Sequence, residues 1–150
     1  MDAVELLKRD HRNVEALFRQ FEDAGDRAYK TKRELTDQIS RELEVHAAVE
    51  EEIFYPAVEE KANRDEKAAV AEAYEEHHVV KVLLGELTGM QPDAGEFDAK
   101  VTVLIENVRH HVQEEETELL PEAEELLGRE RMDELGKQMA ERKEELGAGG

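Results

Sequence analysis

Four stretches of the chain carry apolar residues at alternating spacings of three and four, and each stripe contains one histidine at a core position. This spacing predicts amphipathic helices that turn one face to a shared core. The stripes are Val4, Leu7, His11, Val14, Phe18 and Phe21; Leu35, Ile39, Leu43, His46, Glu50, Ile53 and Ala57; Val70, Tyr74, His77, Val80, Leu84 and Leu87; Val101, Leu104, Val108, His111, Glu115 and Leu119. Only nine glycines and three prolines occur in 150 residues, so we predict an all-α fold.

Capping patterns indicate where the helices begin. A capping residue followed three positions later by glutamate is typical of a helix N-terminus, and it occurs at Asp2, Thr31, Asn63 and Asp93. Together with the intervening turn residues, these patterns predict four helices. Their ranges, good to about two to four residues, are 3–24, 32–62, 64–88 and 95–127.

A fifth helix is predicted after Gly128, where the fourth helix should end. Its inward face carries Met132, Leu135, Met139 and Leu146. The closing Ala-Gly-Gly tail is expected to fray. We therefore expect an antiparallel up-down-up-down four-helix bundle over 1–128, with a short C-terminal helix in 129–150 packed on the bundle or extending from it.

The chain repeats its own design. Residues 46–60 match residues 111–125, with His, Glu, Glu, Pro, Glu and Glu identical in register, and residues 10–18 match 76–84 in pattern. The repeat predicts two helical hairpins of similar construction. Its prolines, Pro56 and Pro121, lie inside helical patterns, so each is expected to kink or break its helix.

The register of the repeat separates core histidines from their neighbours. His111, rather than His110, lies ten residues before its proline, as His46 does. The same alignment pairs Glu50 with Glu115. We expect His110, which has no counterpart, to be a surface residue.

In the other helix of each hairpin, His77 rather than His78 is the counterpart of His11, and His78 is expected at the surface. At about 1.5 Å of rise per residue, each core histidine lies roughly 20 to 24 Å from the turns that join its helix to the next. In an antiparallel bundle the four imidazoles should therefore converge at one level.

Burying these titratable side chains requires partners. Unpaired, they would cost several kcal/mol each, more in total than the ~5 to 15 kcal/mol by which a domain is stable. No lysine or arginine stands out in the stripes, whereas two divalent cations would neutralise the carboxylates and use the imidazole lone pairs. A His-x3-Glu spacing also places both side chains on one helix face. We predict a dinuclear metal site formed by His11, His46, Glu50, His77, His111 and Glu115.

Composition limits the metals and partners. The chain has no cysteine, so nitrogen and oxygen must supply the ligands, which suits iron, manganese or zinc. A net charge of -19 disfavours nucleic acid and anionic membrane surfaces. No apolar run approaches the ~20 residues of a membrane span, and the first residues do not read as a signal peptide. We expect a cytoplasmic protein.

Four motifs resemble the hemerythrin-like, or HHE cation-binding, domains. They are DH at 10–11, HAAVEEEIFYP at 46–56, EHH at 76–78 and HHVQEEETELLP at 110–121. The resemblance implies a four-helix bundle that holds two iron ions in a non-haem di-iron centre, with manganese or zinc as alternatives. It also implies that Glu50 and Glu115 bridge the ions, that the four core histidines are terminal ligands, and that solvent supplies an oxo or hydroxo bridge.

The ligand set is shorter than that of the oxygen-carrying hemerythrins, which use a fifth histidine one turn from the third-helix ligand. Here the positions a turn either side of His77 are Ala73 and Lys81. Each metal then keeps a free position unless Tyr74 ligates as a phenolate; we favour Tyr74 as a core aromatic residue. The resemblance implies O2, NO or peroxide as the small ligand, for sensing, storage or peroxide detoxification, and leaves a catalase- or peroxidase-like activity open.

Other readings are compatible with an acidic helical chain. A metal-free bundle could act as an interaction module, with the fifth helix as a docking surface; its protein partner is unknown. A ferritin-like carboxylate centre requires Glu-x-x-His on two helices, and only Glu75 with His78 has that spacing. A zinc hydrolase of the HExxH kind is excluded because no histidine is followed directly by glutamate.

Overall fold

A computed structural model of the protein describes residues 1–147, and within that range its regular structure is entirely helical. The helices are α1 (Ala3–Asp23), α2 (Tyr29–Val49), α3 (Tyr55–Lys61), α4 (Arg64–Thr88), α5 (Phe97–Glu114) and α6 (Leu120–Glu145). Two five-residue π-helical segments, Glu50–Phe54 and Glu115–Leu119, join α2 to α3 and α5 to α6. Residues 1–147 thus form four long helical stretches, which confirms the predicted fold class; the Ala-Gly-Gly tail lies outside the described residues.

Two of the predicted helix starts are confirmed. The Asp2 carboxylate accepts a hydrogen bond from the backbone N–H of Glu5 at 2.9 Å. Asn63 and Glu66 form a full capping box, with both side-chain bonds at 2.9 Å. These side chains satisfy backbone donors that have no partner inside the helix.

The other two helices begin within a few residues of the predicted positions, but Thr31 and Asp93 do not cap them. α2 begins at Tyr29, before Thr31, because a turn closed by the Ala28 N–H and the Gly25 carbonyl leads the chain directly into the helix. α5 begins at Phe97 with no side-chain cap, after two consecutive turns that carry the chain past Asp93. Backbone turns thus replace capping side chains at both positions.

The two prolines disturb their helices locally and do not end them. Each follows a π-helical segment in which the backbone bonds run over five residues, from the Tyr55 N–H to Glu50 and from the Leu120 N–H to Glu115. Proline lacks the N–H of an α-helical bond and crowds the carbonyl four residues before it. The wider π turn accommodates this crowding, so the predicted kink or break takes the form of a π segment.

The buried core is divided into two apolar clusters along the bundle. One contains Leu7 and the start of α1 with Tyr55 and α6, and the other begins at Val14 and includes Phe18 of the same helix. The buried His11 lies between Leu7 and Val14 in α1, at the level that separates the clusters. None of the helices in the described range is long and apolar enough to cross a bilayer.

The C-terminal half of α6 packs on the start of α1. Gly128 adopts φ 79 and ψ 167, so it divides α6 where the fourth helix was predicted to end. A Cβ added to Gly136 would lie 2.6 Å from the carbonyl carbon of Asp2, so only glycine permits this close approach. We call residues 129–145 the C-terminal arm.

One of the four residues predicted on the inward face of the fifth helix is not buried. Met132, Leu135 and Met139 are buried as predicted, but Leu146 is 37% exposed. The next buried position of the stripe is Lys143, which is 7% exposed. A lysine therefore takes the place that the sequence pattern assigned to leucine.

Candidate metal centre

The structure brings the six predicted residues together between the two apolar clusters. The rings of His11 and His46 form one pair with centroids 4.9 Å apart, and those of His77 and His111 form another at 5.0 Å. Potential ligand atoms lie within 4.8 Å of one another in two groups that share Glu50. The first group contains His11, His46, Glu50 and Glu115, and the second Glu50, His77 and His111.

Glu50 is fully buried and lies between histidines of different hairpins. Its Oε1 is 3.1 Å from Nε2 of His46, on its own helix, and 3.1 Å from Nε2 of His77. A carboxylate in this position faces both histidine pairs. It has the placement that a bridging ligand requires.

Glu115 occupies the corresponding position in the second hairpin. Its Oε1 lies 3.1 Å from Nε2 of His11, and its Oε2 lies 3.4 Å from Nε2 of His111. Oε2 also accepts a hydrogen bond from the Tyr55 hydroxyl at 2.6 Å. Glu115 thus differs from Glu50 in having a protein donor on one oxygen.

Several buried atoms in this cluster have no hydrogen-bond partner. Imidazole nitrogens and carboxylate oxygens contact one another at 3.1 to 3.4 Å without forming hydrogen bonds. The unpaired atoms are Nε2 of His11, His46 and His111, both oxygens of Glu50, and Oε1 of Glu115. Buried polar atoms without partners are rare and costly. A set of imidazole nitrogens and carboxylate oxygens facing one another fits iron, manganese or zinc, so the residues present suit a metal centre.

Each core histidine has a carboxylate within hydrogen-bond distance of its Nδ1. The pairs are His11 with Glu116 at 2.6 Å, His46 with Asp10 at 2.9 Å, His77 with Glu51 at 2.8 Å and His111 with Glu76 at 2.6 Å. An Nδ1–H donated to a carboxylate fixes the ring and leaves Nε2 free for a metal ion. This arrangement is common among metal-binding histidines.

These four carboxylates are not among the six site residues predicted from the sequence. The repeat nevertheless contains them, because Glu51 and Glu116 follow the two central glutamates in register, and Asp10 and Glu76 directly precede His11 and its counterpart. In a chain with 39 acidic residues they are indistinguishable by type from solvated side chains. Their matched positions in the two hairpins are the signal that could have found them.

The surrounding charges shift the pKa values of the buried groups. Burial lowers the pKa of His111, but the carboxylates of Glu115, Glu50 and Glu76 outweigh it and raise that pKa to about 9. Burial also lowers the pKa of His46, but Glu50 and Asp10 outweigh it and raise that pKa well above 6.5. A metal ion that binds these imidazoles must displace their protons.

Tyr55, rather than Tyr74, is the tyrosine beside the cluster. The buried Tyr55 hydroxyl lies 3.4 Å from Nε2 of His77 as well as donating to Glu115. Tyr74 donates to the backbone carbonyl of Glu51 at 3.4 Å, in agreement with its interpretation as a packed aromatic residue. Tyr55 was not predicted, because α-helical spacing turns a residue five positions after Glu50 away from that face. The π segment brings it back to that face.

A buried lysine lies one contact outside the cluster, although none stood out in the sequence stripes. The Lys143 ammonium donates to Asp10, the carboxylate that accepts from His46. Burial raises the pKa of Asp10, but His46 and Lys143 together lower it below its usual value. Lys143 does not neutralise Glu50 or Glu115, so it leaves the argument for a metal at those carboxylates intact.

A small cavity adjoins the cluster. It measures about 40 Å³ and is bordered by all four core histidines and by valine and leucine side chains that include Val14, Leu43 and Val80. A wider groove of about 620 Å³ between α1 and α5 reaches His11 and Glu116. The centre thus has an apolar cavity on its border and an approach from the surface.

The two histidines predicted at the surface are exposed. His78 and His110 both face away from the buried cluster. His110 forms an ion-pair contact with Glu114 at 2.8 Å, and its side chain is 65% exposed. Neither belongs to the buried donor set.

Comparisons with known proteins point to one family. The sequence model of the hemerythrin HHE cation-binding domain matches residues 2–123. A crystal structure of a hemerythrin HHE cation-binding domain-containing protein from Mycobacterium kansasii superposes with a TM-score of 0.83 at 26% identity, covering 97% of this chain and 87% of that one.

Two curated relatives match most of the chain. This chain is 31% identical over 119 residues, 79% of its length, to a protein of Nostoc named DNA nickase. It is 28% identical over 122 residues, 81% of its length, to an uncharacterized hemerythrin-like protein of Schizosaccharomyces pombe. The chain spans 32% and 59% of these relatives, respectively. With its family match over most of its length, the chain belongs to the hemerythrin HHE cation-binding domain family.

Proposed function

We propose that this protein holds two iron ions between its histidine pairs and binds a small ligand, O2, NO or peroxide, for sensing, storage or peroxide detoxification. The observation that carries the proposal is the set of six buried nitrogen and oxygen atoms without hydrogen-bond partners. They lie on five of the six side chains that the repeat selects: Glu50 contributes two, and Nε2 of the sixth, His77, contacts the Tyr55 hydroxyl. A pair of cations would satisfy these atoms at once.

Each histidine pair of the cluster would bind one of the two ions. His11 with His46 would hold one ion and His77 with His111 the other, because these are the rings that lie together. Glu50 and Glu115 lie between the pairs and would contact both ions. A bound di-iron pair supplies redox chemistry and open positions for an exogenous ligand.

The outer carboxylates prepare the imidazoles for this role. Each accepts the Nδ1–H of one histidine and so presents Nε2 to the interior. They also keep a proton on Nδ1, so that Nε2 is the nitrogen that gives up its proton to a metal ion. The protein thereby orients its ligands before a metal arrives.

The size of the cavity supports a small ligand. A volume of about 40 Å³ accommodates roughly a few atoms, since one water-sized sphere occupies ~10 to 15 Å³. Its surface is mostly apolar, although Glu44, Glu76 and Lys81 also border it, so it offers few hydrogen bonds to a larger polar substrate. We therefore propose diatomic gases and peroxide as ligands.

We propose no nucleic acid partner, even though one relative is named a DNA nickase. The chain corresponds to 32% of that relative, and its own net charge of -19 repels a phosphate backbone. The proposal would fail here if the purified protein bound or cut DNA at physiological salt.

The test mixes anaerobically reduced, iron-loaded protein with O2, NO or hydrogen peroxide and follows absorption in the near-ultraviolet and visible range. A metal-free sample treated identically is the control. We expect a reversible spectral change with at least one ligand, or sustained consumption of peroxide that needs the metal. The absence of any metal-dependent reaction with all three would contradict the proposed ligand class.

The metal-free interaction module remains the alternative function. It predicts that supplying iron neither develops colour nor raises the melting temperature, in the wild-type protein or in His11→Ala or His77→Ala. On the metal-binding account these substitutions remove a ligand and lower the melting temperature of the iron-loaded protein, while the exposed His78→Ala does not.

A further inference from the structure

The C-terminal arm places a charged side chain against the metal centre from outside the region that the family match covers. The match ends at residue 123, whereas Lys143 lies near the end of α6 and is only 7% exposed. Lysine is rarely buried without a partner. Here the partner is Asp10, which the lysine ammonium contacts directly.

Asp10 differs from the other three carboxylates that orient histidines. Its side chain is 2% exposed, whereas those of Glu51, Glu76 and Glu116 are 23%, 25% and 34% exposed. Water can solvate the three glutamates. Water does not reach Asp10, so the protein itself must stabilise the charge of that carboxylate. Lys143 provides the cation that does so.

The arm is held so that this contact is defined. Gly136 permits backbone contact with the start of α1, Met139 is fully buried, and Arg142 contacts Glu52 at 3.1 Å. Lys143 follows on the same face. A side chain in such a position has few alternative conformations.

We propose that Lys143 is a positioning residue of the metal centre, which holds Asp10 and through it the imidazole of His46. The inference rests on the proposed metal binding at His46. It makes the two metal positions unequal, because Lys143 supports the pair of His11 and His46 alone. Lys81 contacts Glu51 beside His77, but its side chain is 52% exposed and its contact is screened by water.

The test measures the affinity of metal-free full-length protein for Co²⁺, titrated alone and followed by visible absorption. Lys143→Met keeps the length of the side chain and removes its charge. We expect it to weaken the binding of one of two Co²⁺ ions about ten-fold or more, as loss of outer support for a ligand does, and to change the other little. Lys143→Arg, which keeps the cation, should restore most of the affinity.

Matched controls separate this role from general stability. Lys137→Met alters an exposed lysine of the same arm, and Lys81→Met removes the exposed counterpart; neither should change either Co²⁺ affinity appreciably. Lys143→Met is also measured with Asp10→Asn. If the lysine acts through Asp10, it should have no further effect on affinity in that background.

The outcomes are distinct. Unchanged Co²⁺ affinities in Lys143→Met would overturn the inference, even if the melting temperature fell, and so would an undiminished effect in the Asp10→Asn background. If Lys143→Met did not fold, Lys143→Gln would be judged by the same two criteria. A failure of the wild-type protein to bind Co²⁺ would instead overturn the proposed metal binding on which the inference rests.

Discussion

The two hairpins contribute the same donors to the centre but surround them differently. In the first, Glu50 is followed by Tyr55 across the π turn; in the second, Glu115 is followed by Leu120. The Tyr55 hydroxyl reaches across to Glu115, and leucine has no hydroxyl with which to reach back to Glu50. Repetition thus supplies the ligands, and departures from repetition decide what each ligand contacts.

The carboxylates outside the histidines show the same contrast. Asp10 of the first hairpin is buried against Lys143, whereas Glu76 of the second is partly solvated. We infer that His46 of the first pair depends on the C-terminal arm, whereas the other three core histidines depend on carboxylates that solvent reaches. The following predictions test this contrast, beginning with the largest expected effect.

Glu50→Gln should affect the centre more than Glu115→Gln. Glu50 has no hydrogen-bond partner on either oxygen and is shared by both ligand groups, so its charge supports both ions. We expect the affinity for at least one ion to fall more than about 100-fold, measured by isothermal titration with Co²⁺. The exposed Glu118→Gln serves as control. Two ions bound at undiminished affinity in Glu50→Gln would refute the bridging role.

The stability of metal-free protein should fall as the pH rises from 6.5 to 9.5. The pKa of His111 is raised from 6.5 to about 9, so its contribution is fully present below pH 6.5 and is lost as the pH passes about 9. The loss is on the order of 3 kcal/mol, and about 6 to 12 °C in melting temperature. His46 acts in the same direction.

Circular dichroism melts of metal-free protein across this range provide the measurement. His111→Gln should flatten the pH dependence, whereas the exposed His110→Gln should leave it intact. The metal-loaded protein should show the opposite trend at low pH, because protons compete with metal for the imidazoles. A metal-free melting temperature that rises between pH 6.5 and 9.5 would count against the pKa assignment.

Gly136→Ala should loosen the arm from the first hairpin. The new Cβ would meet the backbone of Asp2 at 2.6 Å, and backbone cannot move aside cheaply, so we expect destabilisation of about 1 to 3 kcal/mol. Gly85 lies in α4 with no atom near its added Cβ, and Gly85→Ala should stabilise by up to about 1 kcal/mol. Urea denaturation compares the two, and equal effects would show that the arm contact is not tight.

Tyr55→Phe should have the smallest effect, a loss of about 1 to 2 kcal/mol. It removes the hydrogen bond to Glu115 at 2.6 Å and leaves that oxygen buried. Tyr74→Phe removes a longer bond of 3.4 Å at a partly buried position and should change stability less. Chemical denaturation of the metal-free variants would measure both, and a larger loss for Tyr74→Phe would reverse the assigned roles.

The contrast also explains how far sequence reasoning could go. Periodicity and the repeat predicted the all-α fold and the convergence of four histidines, His11, His46, His77 and His111. Both predictions depend only on regular helix geometry. Periodicity and the repeat did not predict Tyr55, whose position depends on a π turn. The up-down-up-down order of the helices stays a prediction.

Other residues escaped prediction for a different physical reason. Lys143 occupies an apolar stripe, but an isolated lysine at such a position usually extends to water. Its burial depends on Asp10, which is distant in sequence. Glu51 and Glu116 looked like ordinary acidic residues because composition does not show which carboxylate faces an imidazole. Helical periodicity thus does not predict which polar side chains pair when they are distant in sequence.

Metal analysis of the freshly purified full chain tests the central claim most directly. Elemental analysis should find about two metal ions per chain, predominantly iron, and chelation should lower the melting temperature by roughly 8 to 16 °C, the change expected for ligands at about a thousand times their Kd. Protein that contains no bound metal, takes up none when iron is supplied anaerobically, and melts at the same temperature with chelator would contradict the account.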